Sequence, residues 1–143
     1  MLEQIDQRLA GACSIPEWIV SMHDPEARPI RRGKLAKPNE FGRTMQLTQD
    51  QSGLMLDYEI QQGNPSDKTK LISLVKDIAR QFGNMPAEVA TDKGYYSQDN
   101  LTKLRELGVR HIGIAKVGRL TPRERRRQRA RWFKRLQRFR CGI

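Results

Sequence analysis

Two aspartates each close an apolar run. Asp24 follows WIVSMH (Trp18 to His23) and Asp92 follows EVAT (Glu88 to Thr91). If both runs are neighbouring strands, the carboxylates converge at the strand ends, where open α/β sheets hold their ligands. Converging carboxylates suit Mg2+ or Mn2+, hard cations that prefer oxygen donors and keep water for phosphate binding. Two such ions about 4 Å apart activate an attacking water and stabilise the leaving oxygen of a phosphodiester. Singly, each acid has a plainer reading as a turn aspartate, Asp24 before Pro25 and Asp92 before Lys93-Gly94. Asp50 also follows an apolar strand, but Asp50-Gln51-Ser52-Gly53 is turn chemistry, and Asp57 reads as a solvent-facing strand residue. His23 and His111 have no recognisable partner for hydrolytic work and read as packing or hydrogen-bonding residues.

The second chemical signal is basic charge. The chain carries a net +11, and from Arg119 onward ten arginines and Lys134 stand against Glu124 alone, a net of +10 in that segment. Such a segment points to a polyanion, with nucleic acid first. In TPRERRRQRARWFKRLQRFR, Trp132, Leu136 and Phe139 recur at helical spacing and form one apolar stripe, so the helix can dock while its other faces meet phosphate. The nucleic-acid contacts expected here are Arg123, Arg125, Arg126, Arg127, Arg129, Arg131, Lys134 and Arg135. Arg31, Arg32, Lys34 and Lys37 lie just past Asp24, where a basic loop can hold a strand, and Lys93 adjoins Asp92. Tyr95 and Tyr96 suit either base stacking or core packing.

The elements that must position these residues follow from punctuation and periodicity. Leu2 to Cys13 is weakly helical and belongs to a leader, residues 1–17. Trp18–His23 is expected as strand one, residues 27–40 as a basic solvent-facing connection, Phe41–Thr48 as strand two and Leu54–Ile60 as strand three of a meander. Ser66 or Asp67 caps a helix from Lys68 to about Phe82, with Leu71, Leu74, Val75, Ile78 and Phe82 inward. Glu88–Thr91 is a short strand, Ser97 caps a helix ended by Gly108, His111–Lys116 is a fifth strand, and a basic helix follows Pro122. A three-strand meander followed by alternating helix and strand is an α/β order, that of an RNase H-like mixed sheet with a basic C-terminal helix. The 143 residues, 37% hydrophobic and 30% charged, suit a single core over 18–118 with an arginine-rich segment at 119–143. Cys13 and Cys141 have no second ligand at metal spacing and fit a reducing cytoplasm, and neither a membrane span nor a secretory signal is expected.

The segments IVSMHDPEARPIRRGKLAKPNEFG, QQGNPSD, EVATDKGYYSQDNLTKLRELGV and GIAKVG together resemble the catalytic region of bacterial insertion-sequence transposases of the DDE type. The resemblance implies that Asp24 and Asp92 are the first two metal-binding acids. It implies metal-dependent DNA cleavage and strand transfer at transposon ends, with double-stranded DNA as partner, possible homo-oligomers, and a cytoplasmic, nucleoid-associated setting. The family's third acid is a glutamate after an arginine-rich stretch and a Gly-Ile pair. Here the sequence reaches Arg140-Cys141-Gly142-Ile143, and Glu124 lies too early in the motif. The expectation is therefore a truncated core, with little activity alone. The alternative is a non-catalytic protein that binds DNA through its basic tail.

Overall fold

A computed structural model describes residues 2–31, 39–62 and 65–142. The chain forms two compact units, Met1–Thr48 with Tyr58–Pro65, and Gln49–Asp57 with Ser66–Ile143. Its architecture is mixed α/β: among the described residues the strands pair as three two-stranded sheets, β1–β2, β3–β4 and β5–β6, and five α-helices accompany them.

The first unit opens with helix α1 (Leu2–Leu9), whose apolar residues Leu2 and Leu9 remain exposed. The run Trp18–His23, expected as strand one, forms no strand. Its backbone finds a side chain in place of a neighbouring strand: the Ile19 amide donates to Gln4 Oε1 (3.0 Å), and Gln4 Nε2 donates to the Glu17 carbonyl (3.2 Å). Trp18, Ile19 and Val20 instead line a groove with Arg28, Pro29 and Phe41. The expected basic connection supplies strands at both flanks. β1 (Arg28–Arg31) pairs antiparallel with β2 (Asn39–Gly42), in the register Arg28↔Gly42 to Arg31↔Asn39. The expected second strand is thus divided between β2 and β3 (Met45–Gln49). β3 joins β4 (Met55–Ile60) as a hairpin, and the meander of three strands is replaced by two hairpins. At the hairpin tip, which is counted with the second unit, Asp50 Oδ1 accepts from the Ser52 and Leu54 amides (both 2.9 Å) and from Ser52 Oγ (2.6 Å), with Gly53 at φ 87°. That is the turn role its sequence predicts.

The second unit follows its sequence closely. Helix α2 (Asp67–Phe82) starts at Ser66, whose extended backbone caps without a side-chain bond, and stops at Gly83 in the left-handed region. Strand β5 (Glu88–Thr91) pairs in parallel with β6 (His111–Ile114), Glu88 opposite His111 and Thr91 opposite Ile114. Between them lies α3 (Gln98–Glu106), capped by Ser97 Oγ, which accepts the Asn100 amide at 3.0 Å. Leu71 and Val75 of α2, Leu101 and Leu104 of α3, and Ile112 and Ile114 of β6 form the buried core, with Val89 packed against it.

The other side of β5–β6 carries small residues, Ala90 and Gly113, and receives the arginine-rich segment. That segment is two helices, α4 (Pro122–Arg129) and α5 (Arg131–Cys141), because Ala130 turns to an extended backbone (φ −60°, ψ 146°). The break shifts the inward stripe. Phe133 and Leu136 are buried, whereas Trp132 stacks on His111 with ring centroids 4.8 Å apart. Gly113 makes the approach of α5 close: a Cβ there would lie 2.9 Å from Leu136 Cβ and 3.5 Å from Ala90 Cβ. Gly113→Ala should therefore lower stability by about 1–3 kcal/mol through overpacking. Urea unfolding followed by tryptophan fluorescence, in a Trp18→Phe background so that Trp132 reports alone, and by far-UV dichroism reads the loss, and an unchanged midpoint would show that α5 does not depend on this close packing.

Candidate functional site

In the first unit Asp24 begins a turn, not the end of a strand. The Ala27 amide donates to the Asp24 carbonyl (3.0 Å) across Pro25, and Asp24 Oδ1 accepts the Glu26 amide (3.2 Å). Its carboxylate meets Arg43 in a forked pair, Nη2 to Oδ1 at 2.6 Å and Nε to Oδ2 at 3.0 Å. The Arg43 hydrogen bond holds the Asp24 carboxyl below the usual carboxylate range. Arg43 went unread in the sequence. It is one basic residue among many in this half, and only the break between β2 and β3 sets it facing the turn.

In the second unit Asp92 follows β5 and precedes a single 3-10 turn, Lys93–Tyr95, as its N-cap. Its carboxylate is exposed and pairs with Arg140 of α5. Lys93 is exposed beside it. The turn is pinned from below. Buried Asn100 donates through Nδ2 to the carbonyls of Lys68 (2.9 Å) and Tyr95 (3.0 Å), and Tyr95 and Tyr96 pack against the core. The two tyrosines thus take the packing reading of their alternatives. Asn100 was missed, being a polar residue on a helix whose leucines carry the periodic signal.

Glu124 has a structural task. It completes a capping box with Thr121, accepting the Thr121 amide at 2.8 Å, and also accepts from Lys116 Nζ (2.9 and 3.0 Å) and the Tyr96 hydroxyl (3.0 Å). These bonds, the Thr121 amide foremost, lower its carboxyl to about 2. Among the described residues no group of three His, Cys, Asp or Glu side chains is placed to hold a metal ion.

The arginines divide by environment. Arg123, Arg125, Arg126 and Arg129 on α4, and Arg131 and Lys134 on α5, are all exposed. Arg127, grouped with them in the sequence, turns inward: its Nη2 donates to the Ile114 carbonyl (3.0 Å), its guanidinium lies over Phe133 at 5.6 Å, and its Nε and Nη1 are buried without hydrogen-bond partners among the described residues. Burial pushes its pKa down. Arg135 is committed to Glu88 (2.5 and 2.7 Å), which also meets His111 Nδ1 at 2.6 Å. Arg131, Lys134, Arg135, Arg138 and Phe139 line an open groove of about 530 Å³ on α5. The side chain of Arg31, and all of Arg32, Lys34 and Lys37, lie outside the described residues.

The second unit thus sets a carboxylate just past β5 and crowds arginines on α4 and α5. Residues 12–142 match the transposase DDE domain family, and the chain belongs to it. The matched span contains both Asp24 and Asp92 and the arginine-rich segment as far as residue 142, whereas α1 precedes it. No curated protein and no solved structure matches the chain. Among the described residues no helix is long and apolar enough to cross a membrane.

The Glu124 network makes a pH prediction. Because its folded carboxyl titrates near 2 against an ordinary 4.5, the stability it contributes is complete above about pH 4.5 and fades as the pH falls towards 2. Glu88 is also lowered, by His111 first and then Arg135, and adds a loss of the same sign. Acid titration of the folded fraction should be shallower in Glu124→Gln than in the parent chain, and superimposable curves would exclude this role.

Proposed function

We propose that this chain serves DNA transposition as part of an RNase H-like catalytic core, with residues 18–118 as the core and 119–143 as an arginine-rich DNA-binding segment. Metal-dependent DNA cleavage and strand transfer at transposon ends are the reactions this reading assigns. The observation that carries it is the family match over 12–142, which takes in both acids. Asp24 and Asp92 are the proposed metal ligands. Their donors fit Mg2+ or Mn2+ in kind, since both are carboxylates and each already accommodates a cation, the guanidinium of Arg43 or Arg140. When bound, such an ion supplies Lewis acidity towards a phosphodiester and a more acidic bound water.

The residues of the chain divide the remaining work. Asn100, Tyr95 and Tyr96 fix the backbone that carries Asp92. In this reading Lys93, exposed next to that acid, meets a phosphate oxygen, and the exposed arginines of α4 hold the duplex backbone. Glu124, fully engaged in the cap of α4, does not serve as the family's third acid in this reading, so the 143-residue chain is expected to bind cations weakly and to cleave little. A nicking assay of the chain on supercoiled plasmid with Mg2+ or Mn2+ addresses the assignment: robust nicking that survives Asp92→Ala would sink it.

A second reading, a DNA-binding protein without catalysis, is favoured by one specific observation, the exposure of Arg123, Arg125 and Arg126 on a single short helix. Duplex binding in EDTA, measured by anisotropy across a KCl series, separates the contributions. Replacing those three arginines by glutamine should reduce the slope of log affinity against log salt by about 0.9 for each phosphate no longer neutralised. An unchanged slope would remove α4 from the interface.

A further inference from the structure

The acid that closes β5 already holds a cationic group, and that group comes from α5. Arg135 pairs with Glu88 and Arg140 with Asp92, the residues at the start and just past the end of β5. Helix α5 therefore runs along β5 with a guanidinium on the carboxylate at either end. Phe133 and Leu136 are buried on the same helix, and Leu136 lies close to Gly113. We propose that Arg140 is a resident cation surrogate on Asp92, so that a divalent cation and the last turn of α5 compete for the same carboxylate. The inference rests on the reading of Asp92 as a metal ligand.

Three physical points support competition over a passive surface bridge. A guanidinium keeps its charge at every accessible pH, so deprotonation of Arg140 does not free the carboxylate. Arg140 Nη1 sits on Asp92 Oδ1, one of the two oxygens open to a hard dication, and the two positive groups repel each other at close range. The pair is also exposed enough to exchange, with side-chain exposures of 32% for Arg140 and 67% for Asp92. The two ends of α5 differ in what remains when a pair opens. Opening of the Arg140 pair leaves Arg135, Phe133 and Leu136 in place, so only the terminal turn, capped by Gly142 in the left-handed region, is released.

Asp24 in the first unit has the same kind of partner, Arg43, in a forked arrangement that satisfies both carboxylate oxygens. Each proposed ligand thus has its own counter-cation within its own unit. Linkage makes the effect reciprocal at Asp92: the factor by which Arg140 weakens cation binding is the factor by which the cation weakens the hold on the last turn of α5.

The test is Mn2+ binding to the 143-residue chain at low ionic strength, followed by the paramagnetic resonance signal of free Mn2+. Arg140→Gln should bind about 3- to 5-fold more tightly than the parent, the range open to one exposed ion pair. Arg138→Gln removes an equal charge from the same helix without touching Asp92 and should stay within about 1.5-fold of the parent. The gain should vanish in Asp92→Asn/Arg140→Gln, and amide exchange in the last turn of α5 should quicken with Mg2+ in the parent but not in Asp92→Asn. If Asp92→Asn weakens binding while Arg140→Gln leaves it unchanged, competition is overturned and the ligand reading stands. If Asp92→Asn binds Mn2+ as the parent does, the ligand reading falls and the inference with it. An equal gain from Arg138→Gln would reduce the effect to general charge and overturn it as well.

Discussion

A parallel pair of four-residue strands has too little hydrogen bonding and too much apolar surface to stand in water uncovered. In the second unit this constraint is met from both faces of β5–β6. Val89, Ile112 and Ile114 meet the leucines and valine of α2 and α3. Ala90 and Gly113, lacking bulk, let α5 come close enough for Leu136 to seal the other face. The position of Asp92 depends on this closure twice. β5 carries its backbone, and α5 brings the guanidinium that neutralises its side chain.

The arginine-rich segment consequently has two duties that its composition does not separate. Arg127 and Arg135 serve the fold, one bonded to the end of β6 and lying over Phe133, the other bonded to Glu88 beside the His111–Trp132 stack. Arg123, Arg125 and Arg126 remain in solvent on α4. The Thr121–Glu124 box, joined to Lys116 and Tyr96, holds α4 to the segment leaving β6 and to the turn after Asp92. The one glutamate of the segment is thereby a brace between the basic surface and the acid's own turn.

Legibility differed between the two units for a reason of range. α2, β5, α3 and β6 carry local signals, such as leucines at helical spacing, Ser97 as cap, and Gly83 and Gly108 as stops, and each falls close to where those signals put it. Trp18–His23 has strand composition, yet a strand needs a partner, and here Gln4 takes the Ile19 amide instead. The pairing of β1 with β2 across an intervening stretch is equally non-local, and two prolines and a glycine in residues 27–40 read naturally as a connection. Ala130 shows the limit for helices. Nothing in its type marks a break, yet the extended backbone there moved the buried stripe from Trp132, Leu136 and Phe139 to Phe133 and Leu136.

Residue order alone determined the α/β class of the chain, the turn chemistry of Asp50, the placement of Asp92 after a short apolar strand and the concentration of positive charge from Arg119 onward, because each depends on near neighbours. The ordered motifs around Asp24 and Asp92 likewise pointed to the transposase DDE family that residues 12–142 match. Tertiary structure decided which arginines are spent on the fold and which face water, that Glu124 reaches the Tyr96 hydroxyl, and that Asp24 and Asp92 each hold a guanidinium. Those outcomes join residues 19, 28 and 48 positions apart. Ion pairing of that kind is settled by where folded elements bring charges together, and an arginine's neighbours in sequence carry no record of it.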